Sequence, residues 1–131
     1  MDHTVVHFEI PAKNPEKLRK FYSEVFGWKI EKGSEEMSGG MEYWLIGTVP
    51  VDKNMTPTRP GINGGMYKKT DNKMKPVNYI SVESADEFAD KIKKLGGKIL
   101  VPKQEVPQVG WTVIAEDPEG NQIAILQPLR P

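Results

Sequence analysis

The residues best suited to chemistry lie close together near the amino terminus. His7 and Glu9 are two positions apart in the run from Val5 to Ile10, where polar and apolar residues alternate. In a β-strand this spacing places both side chains on one face, about 7 Å apart, where they can converge on one ligand or water molecule. An imidazole titrates near neutral pH, so His7 can act as a general base. The alternatives are a lone metal ligand, a hydrogen-bonding wall residue, or a structural histidine beside a solvent-facing carboxylate.

Four other side chains are candidates for binding a small molecule. Asn78 offers both a hydrogen-bond donor and an acceptor. Trp111 and Met66 can form an apolar wall. Arg59, in a proline-rich loop, can clamp a carboxylate or phosphate. Three of them have a structural alternative. Trp111 can be a core residue, as large aromatic side chains most often are, Arg59 can be solvated, and Asn78 can be a strand-edge side chain bonded to a neighbouring loop.

These candidates belong to a chain that repeats one pattern. A strand segment at 6–8 and a helix segment at 14–27 return as a strand segment at 77–79 and a helix segment at 84–97. The strand copies align at an offset of 71 residues, from 7 to 78, and the helix copies at 70, from 18 to 88. The pattern indicates two copies of one supersecondary unit, with one residue lost between strand and helix in the second.

The helix boundaries carry clear signals. Asn14 is a predicted N-cap followed by proline, and Gly27 ends the first helix, while Ser84 and Glu87 form a predicted capping box for the second. The apolar stripes expected to face the core are listed as follows: Leu18, Tyr22 and Val25 in the first helix, and Phe88, Ile92 and Leu95 in the second.

Three strand-like runs follow each helix. They lie at 28–32, 41–47 and 61–68 in the first half and at 98–102, 110–116 and 121–127 in the second, with loops at 33–40, 51–60 and 102–108. The sequence therefore predicts an α+β fold of two tandem β-α-β-β-β modules. We expect one domain over 1–131, made of a first module at 1–68, a linker at 69–76 and a second module at 77–131.

Composition excludes several classes of function. The 131 residues include 18 basic and 18 acidic side chains and no cysteine. Zero net charge supplies no basic field for nucleic acid, and the lack of cysteine removes disulfides, thiolate metal sites and thiol nucleophiles. No apolar run is long enough for a signal peptide or a membrane span, so we expect no membrane partner and a cytoplasmic location.

Several motifs together resemble the vicinal oxygen chelate superfamily, which includes glyoxalase I, extradiol dioxygenases, bleomycin-resistance proteins and methylmalonyl-CoA epimerase. The motifs are Val6-His7-Phe8, Lys20-Phe21-Tyr22, Phe26-Gly27-Trp28 and Asp117-Pro118-Glu119-Gly120-Asn121. The stretches at 64–67 and 109–111 look most like its small, uncharacterised glyoxalase-related branch. The resemblance implies that the modules form a curled-sheet cup around a central cavity, with the helices on the outer faces.

The resemblance also implies positions for metal ligands, which in metal-dependent relatives are His or Gln on the first strand of each half and Glu on the last. The first-strand positions carried over are His7 and Asn78, and the last-strand positions are Ala124 and a residue near Gly64. Only His7 is a strong ligand, and an open catalytic site needs about three protein ligands. We therefore assign no metal site and no cofactor, and a divalent metal is disfavoured.

Three functions remain open. The first is a lyase or isomerase of unknown substrate that uses His7 and Glu9 as acid and base, with glyoxalase I and dioxygenase chemistry disfavoured. The second is a non-catalytic protein that sequesters a small molecule, as resistance proteins do. The third is a vestigial or partner-binding module. A shared fold does not show which of these functions the protein has, because one fold can support many functions. Because each module ends in strands with unpaired edges, we also expect a homodimer.

Overall fold

The computed structural model describes residues 1–34 and 42–129, and within them it shows eight strands and two helices. The first module contains β1 (Val5–Ala12), α1 (Pro15–Phe26), β2 (Lys29–Lys32), β3 (Tyr43–Gly47) and β4 (Gly64–Lys68). The second contains β5 (Val77–Ser81), α2 (Ala85–Lys94), β6 (Lys98–Val106), β7 (Gly110–Glu116) and β8 (Gln122–Pro128). The predicted α+β fold with its repeated β-α-β-β-β order is confirmed. Met41, the predicted start of the third strand, and most of the predicted loop at 33–40 lie outside the described residues.

The chain divides into two compact units. One is His7–Pro76, in which the strand order is β2-β3-β4-β1. The other begins at Val77 and includes Met1–Val6, and its order is β5-β8-β7-β6. In each unit the first strand pairs in parallel with the last, and the remaining pairs are antiparallel. The two units therefore repeat one strand-pairing scheme. Neither described helix is long and apolar enough to cross a membrane.

Local sequence signals set the ends of both helices. The side chain of Asn14 accepts the backbone N–H of Lys17 at 3.2 Å, and Gly27 ends α1 with φ 72°, a conformation that glycine adopts without steric cost. Ser84 caps α2 by accepting the N–H of Glu87, also at 3.2 Å. The predicted N-caps at Asn14 and Ser84 and the predicted end of α1 at Gly27 are confirmed. The apolar stripe of each helix is shorter at its carboxyl end than predicted, because Val25 and Leu95 are exposed.

The core beneath α1 determines which way β1 faces. Its buried residues are Ala12, Ile30, Trp44, Ile46 and Met66, and Phe8, Ile10, Leu18, Tyr22 and Trp28 pack against them. Phe8 and Ile10 therefore face α1, and alternation places His7 and Glu9 on the opposite face. The same alternation puts Val6 on the face of Phe8 and Ile10, but Val6 is 41% exposed.

The residues packed beneath α2 show that the offset of 71 predicted for the two strand copies is one residue too long. Ile80 and Val82 pack beneath α2, whereas Tyr79 lies in a separate cluster with Val77 and Ala124. An offset of 71 would match Phe8, which faces its helix, to Tyr79, which does not. An offset of 70 matches every face and continues into the helices, so the predicted loss of one residue is wrong.

The predicted loop at 102–108 is also partly wrong. β6 continues through Pro102 to Val106, and its pairing with β7 shifts register between Val101 and Gln104. β6 is the last strand in the order of its unit. An outermost strand tolerates proline, since one side of its backbone needs no ladder hydrogen bond. The actual turn follows Val106 and includes Gln108 at φ 67°.

Candidate functional site

Three side chains form a hydrogen-bonded network within the unit His7–Pro76. The Nε2 atom of His7 lies 2.9 Å from the hydroxyl of Tyr43, and that hydroxyl donates to Oε2 of Glu9 at 2.8 Å. Nε2 of His7 and Oε2 of Glu9 are 3.9 Å apart. We call these residues the His7–Tyr43–Glu9 network. His7 and Glu9 therefore approach each other on one face, and the group that both contact is the phenol of Tyr43.

A glycine on β4 makes room for the phenol. β4 lies between β3 and β1, and Gly65 pairs with Leu45 on one side and Glu9 on the other. A Cβ atom at position 65 would overlap the hydroxyl and ring of Tyr43. The Tyr43 side chain therefore crosses the space left by Gly65 to reach β1, so the network depends on glycine at this position.

Burial shifts the pKa of two side chains at the site, His7 and Tyr67. The His7 side chain is 30% exposed, and desolvation lowers the pKa of its imidazole below the ordinary 6.5, while the charge of Glu9 opposes that shift. Tyr67 pairs with Tyr43 in the β3–β4 ladder, and burial together with the Glu9 charge raises the pKa of its phenol. At neutral pH the imidazole of His7 and the phenol of Tyr67, on the face of the sheet opposite α1, are therefore both uncharged.

The lowered pKa of His7 gives a prediction about stability. Folded His7 binds a proton more weakly than unfolded histidine, so its neutral form stabilises the folded state above about pH 6.5, and this contribution is lost as the pH falls towards the folded pKa. Urea denaturation should show that His7→Gln loses less unfolding free energy than the wild type between about pH 7.5 and about pH 5.

His3→Gln is the matched control for that measurement. His3, which belongs to the other unit, hydrogen-bonds Glu83 at 2.8 Å and packs edge-on against Phe88. Because it retains His7, the His3 variant should lose more unfolding free energy over this pH range than His7→Gln does. An equal response of both histidine variants would contradict the assignment of the pH dependence to His7.

Asn78 does not occupy the position that matches His7. It is exposed and shares its face of β5 with Ile80, which packs beneath α2. At the corrected offset of 70, His7 matches Val77 and Glu9 matches Tyr79, both of which lie on the face away from α2. The sequence placed Asn78 on the wrong face because a shift of one residue reverses every side chain of a strand.

The two predicted apolar wall residues are core residues. Met66 is 0% exposed and packs beneath α1, on the face of β4 opposite Gly65. Trp111 is half-buried and packs against the core beneath α2 with Val113. The assignment of Met66 to a wall beside His7 is wrong, and for Trp111 the structure shows the core packing that was its alternative. Arg59 is exposed in the loop at 51–60.

Tyr43 is the site residue that the sequence reasoning missed. One signal for it was available, since Trp44 and Ile46 fill the core face of β3 and alternation then puts Tyr43 on the opposite face. Its partners, however, are 34 and 36 positions away in the chain. Only the pairing of β3, β4 and β1 brings them together.

A family model described as the Glyoxalase/Bleomycin resistance protein/Dioxygenase superfamily matches residues 4–125. The chain belongs to this superfamily. The resemblance inferred from the motifs is therefore confirmed, and the repeated module is the superfamily's.

Two named relatives of this glyoxalase-superfamily chain differ in length. A glyoxylase-like domain-containing protein of Didymella fabae is 32% identical over 123 residues, which cover 89% of this chain and 88% of that protein. CFP32 of Mycobacterium bovis, whose name marks it as a candidate glyoxylase, is 26% identical over 127 residues. That match covers 95% of this chain but 44% of CFP32, so the chain spans less than half the length of this relative.

Solved structures support the fold. Methylmalonyl-CoA epimerase of Streptomyces coelicolor superposes with a TM-score of 0.67 at 11% identity, covering 98% of this chain and 96% of the epimerase. The Mycobacterium tuberculosis epimerase gives a TM-score of 0.64 at 11% identity, with coverages of 95% and 87%. At such identities the similarity shows the fold alone.

The residues at the superfamily's metal-ligand positions do not fit the usual metal centre. In this glyoxalase-superfamily chain Val77 and Ala124 carry no donor atom, and Gly65 has no side chain. Within residues 1–34 and 42–129, no group of three or more His, Cys, Asp or Glu side chains is placed to hold a metal ion. Among the described residues, His7 and Glu9 supply two ligands at these positions, fewer than the three that an open catalytic site requires.

Proposed function

We propose that this protein catalyses proton transfer on a small oxygenated molecule, as an isomerase or a lyase, with His7 as the base. One observation carries the proposal: a half-buried imidazole with a lowered pKa is joined through Tyr43 to the carboxylate of Glu9. A neutral imidazole is the proton-accepting form of histidine, and burial keeps it in that form at neutral pH.

The chemistry needs a carbon acid. His7 takes a proton from a carbon next to a carbonyl, so a C–H bond breaks, an N–H bond forms, and the electron pair delocalises onto the carbonyl oxygen. The resulting imidazolium lies 3.9 Å from the Glu9 carboxylate, whose charge stabilises it. An isomerase results if the same carbon regains a proton on its opposite face, either from solvent or after the intermediate turns. A lyase results if a leaving group departs from the neighbouring carbon with its bonding electrons while a C=C bond forms between the two carbons.

The names of related proteins support the reaction class and leave the substrate open. Methylmalonyl-CoA epimerase, which shares the fold, is by name an isomerase, and the relatives in sequence carry glyoxylase names. The site supplies base chemistry without selecting a particular carbonyl compound. The substrate must therefore be identified by experiment.

A proton-exchange screen tests the proposal. The protein is incubated in D₂O with 2-hydroxy aldehydes, 2-oxo acids and acyl thioesters, and loss of the carbon-bound proton is followed by NMR. We expect at least one compound to exchange faster than it does in buffer. If a compound raises the melting temperature by mass action and none exchanges, the protein is a small-molecule binder, the second function predicted from sequence.

A further inference from the structure

The direction of one hydrogen bond constrains the neighbouring one. The Tyr43 hydroxyl has a single proton, and it donates that proton to Oε2 of Glu9. The contact between Tyr43 and Nε2 of His7, at 2.9 Å, must then use the hydroxyl oxygen as acceptor. Neutral imidazole carries its one proton on either nitrogen, so this contact requires the proton on Nε2.

We infer that Tyr43 is a positioning residue that holds neutral His7 in its Nε2–H form and makes Nδ1 the proton-accepting nitrogen. The role in catalysis rests on the function proposed above, whereas the tautomer itself does not. A histidine base works only when the nitrogen facing the substrate lacks a proton, so the group bonded to the other nitrogen decides which one is basic.

Glu9 sets the direction of both hydrogen bonds in the network. A carboxylate can only accept hydrogen bonds, so it orients the Tyr43 proton away from His7. The phenol oxygen is then left to accept a hydrogen bond from Nε2 of His7, which is itself 3.9 Å from the carboxylate. Without the phenol this orienting contact is lost, so we expect the preference of His7 for the Nε2–H form to weaken.

Gly65 is the second requirement, because the Tyr43 ring occupies the space a larger residue would fill. Gly65→Ala should displace the Tyr43 hydroxyl and reproduce the effect of Tyr43→Phe without touching any member of the network. Gly47→Ala is the matched control. Gly47 is at the end of β3, and a Cβ atom there would lie 3.5 Å from the backbone oxygen of Lys29, an ordinary contact.

Long-range ¹H–¹⁵N NMR of ¹⁵N-labelled protein measures the tautomer directly, with the His7 signals assigned by their loss in His7→Gln. At about pH 7.5, above the ordinary histidine pKa, we expect the wild type and Gly47→Ala to show a protonated Nε2 and an unprotonated Nδ1. Tyr43→Phe and Gly65→Ala should shift both nitrogens towards a mixture. An Nδ1–H tautomer in the wild type, or an unchanged tautomer in folded Tyr43→Phe, would overturn the inference. If Gly65→Ala does not fold, Tyr43→Phe alone decides.

The readout separates this inference from the proposed function, because it needs no substrate. If the exchange screen finds no activity and the tautomer depends on Tyr43, the proposed function fails and the positioning role stands. If exchange is found, Tyr43→Phe should lower kcat more than it raises KM, since the substrate is still bound by unchanged groups. Exchange at the wild-type rate in Tyr43→Phe would overturn the positioning role.

Discussion

Replacing His7 by glutamine is expected to slow carbon-proton exchange by about 10²–10⁴-fold, the usual contribution of a general base. The glutamine amide can still donate to Tyr43, so the variant preserves much of the network, but an amide cannot take up a proton at neutral pH. The exchange rate in D₂O, measured by NMR on any compound found in the screen, checks this prediction.

The other histidine provides the control for activity as it does for stability. His3→Gln removes a side chain that hydrogen-bonds Glu83 in the unit that contains α2. Its exchange rate should stay at the wild-type value. A similar loss in both variants would point to a general effect on folding, and no loss in His7→Gln would remove His7 from the chemistry. The contacts of His3 with Glu83 and Phe88 hold its side chain in place although it lies near the amino terminus.

The largest expected effect on stability comes from Met66. Its side chain is fully buried beneath α1 beside Trp44 and Ile46, so Met66→Ala removes apolar contacts and leaves a cavity. We expect the unfolding free energy to fall by about 2–5 kcal/mol. Urea denaturation, with the slope unchanged and the midpoint lowered, measures the effect.

An exposed methionine gives the matched comparison. Met55 is 59% exposed, so Met55→Ala should change the unfolding free energy by less than about 0.5 kcal/mol. If Met66→Ala behaved like Met55→Ala and instead weakened binding of a small molecule, Met66 would line a pocket, as the sequence had suggested. The difference in unfolding free energy between the two variants therefore shows whether Met66 is a core residue or a binding-site residue.

Other expectations from the sequence stay predictions. They are the homodimer, the cytoplasmic location, and the division into modules at 1–68 and 77–131 with a linker between them. Light scattering at micromolar concentrations tests the homodimer, because a mass near the 14.8 kDa of one chain would contradict it.

The assignment of Asn78 shows where reasoning from the sequence failed. The repeat was recognised correctly, but the strands were aligned with one residue of slip, and a strand has a period of two. The helix copies contain caps that fix their alignment, whereas short strands contain nothing comparable. The register is fixed by the core beneath α2, where Ile80 and Val82 pack.

The sequence by itself determined the features that depend on near neighbours. Asn14 and Ser84 cap their helices through bonds to residues three positions away, and the alternation around His7 places it with Glu9 on one face. Tertiary structure decided the rest. Tyr43 reaches Glu9 and His7 only because β4 lies between β3 and β1 and contributes Gly65 at the crossing point. Strand order and the space above a glycine depend on the packing of distant segments, so no local pattern specifies them.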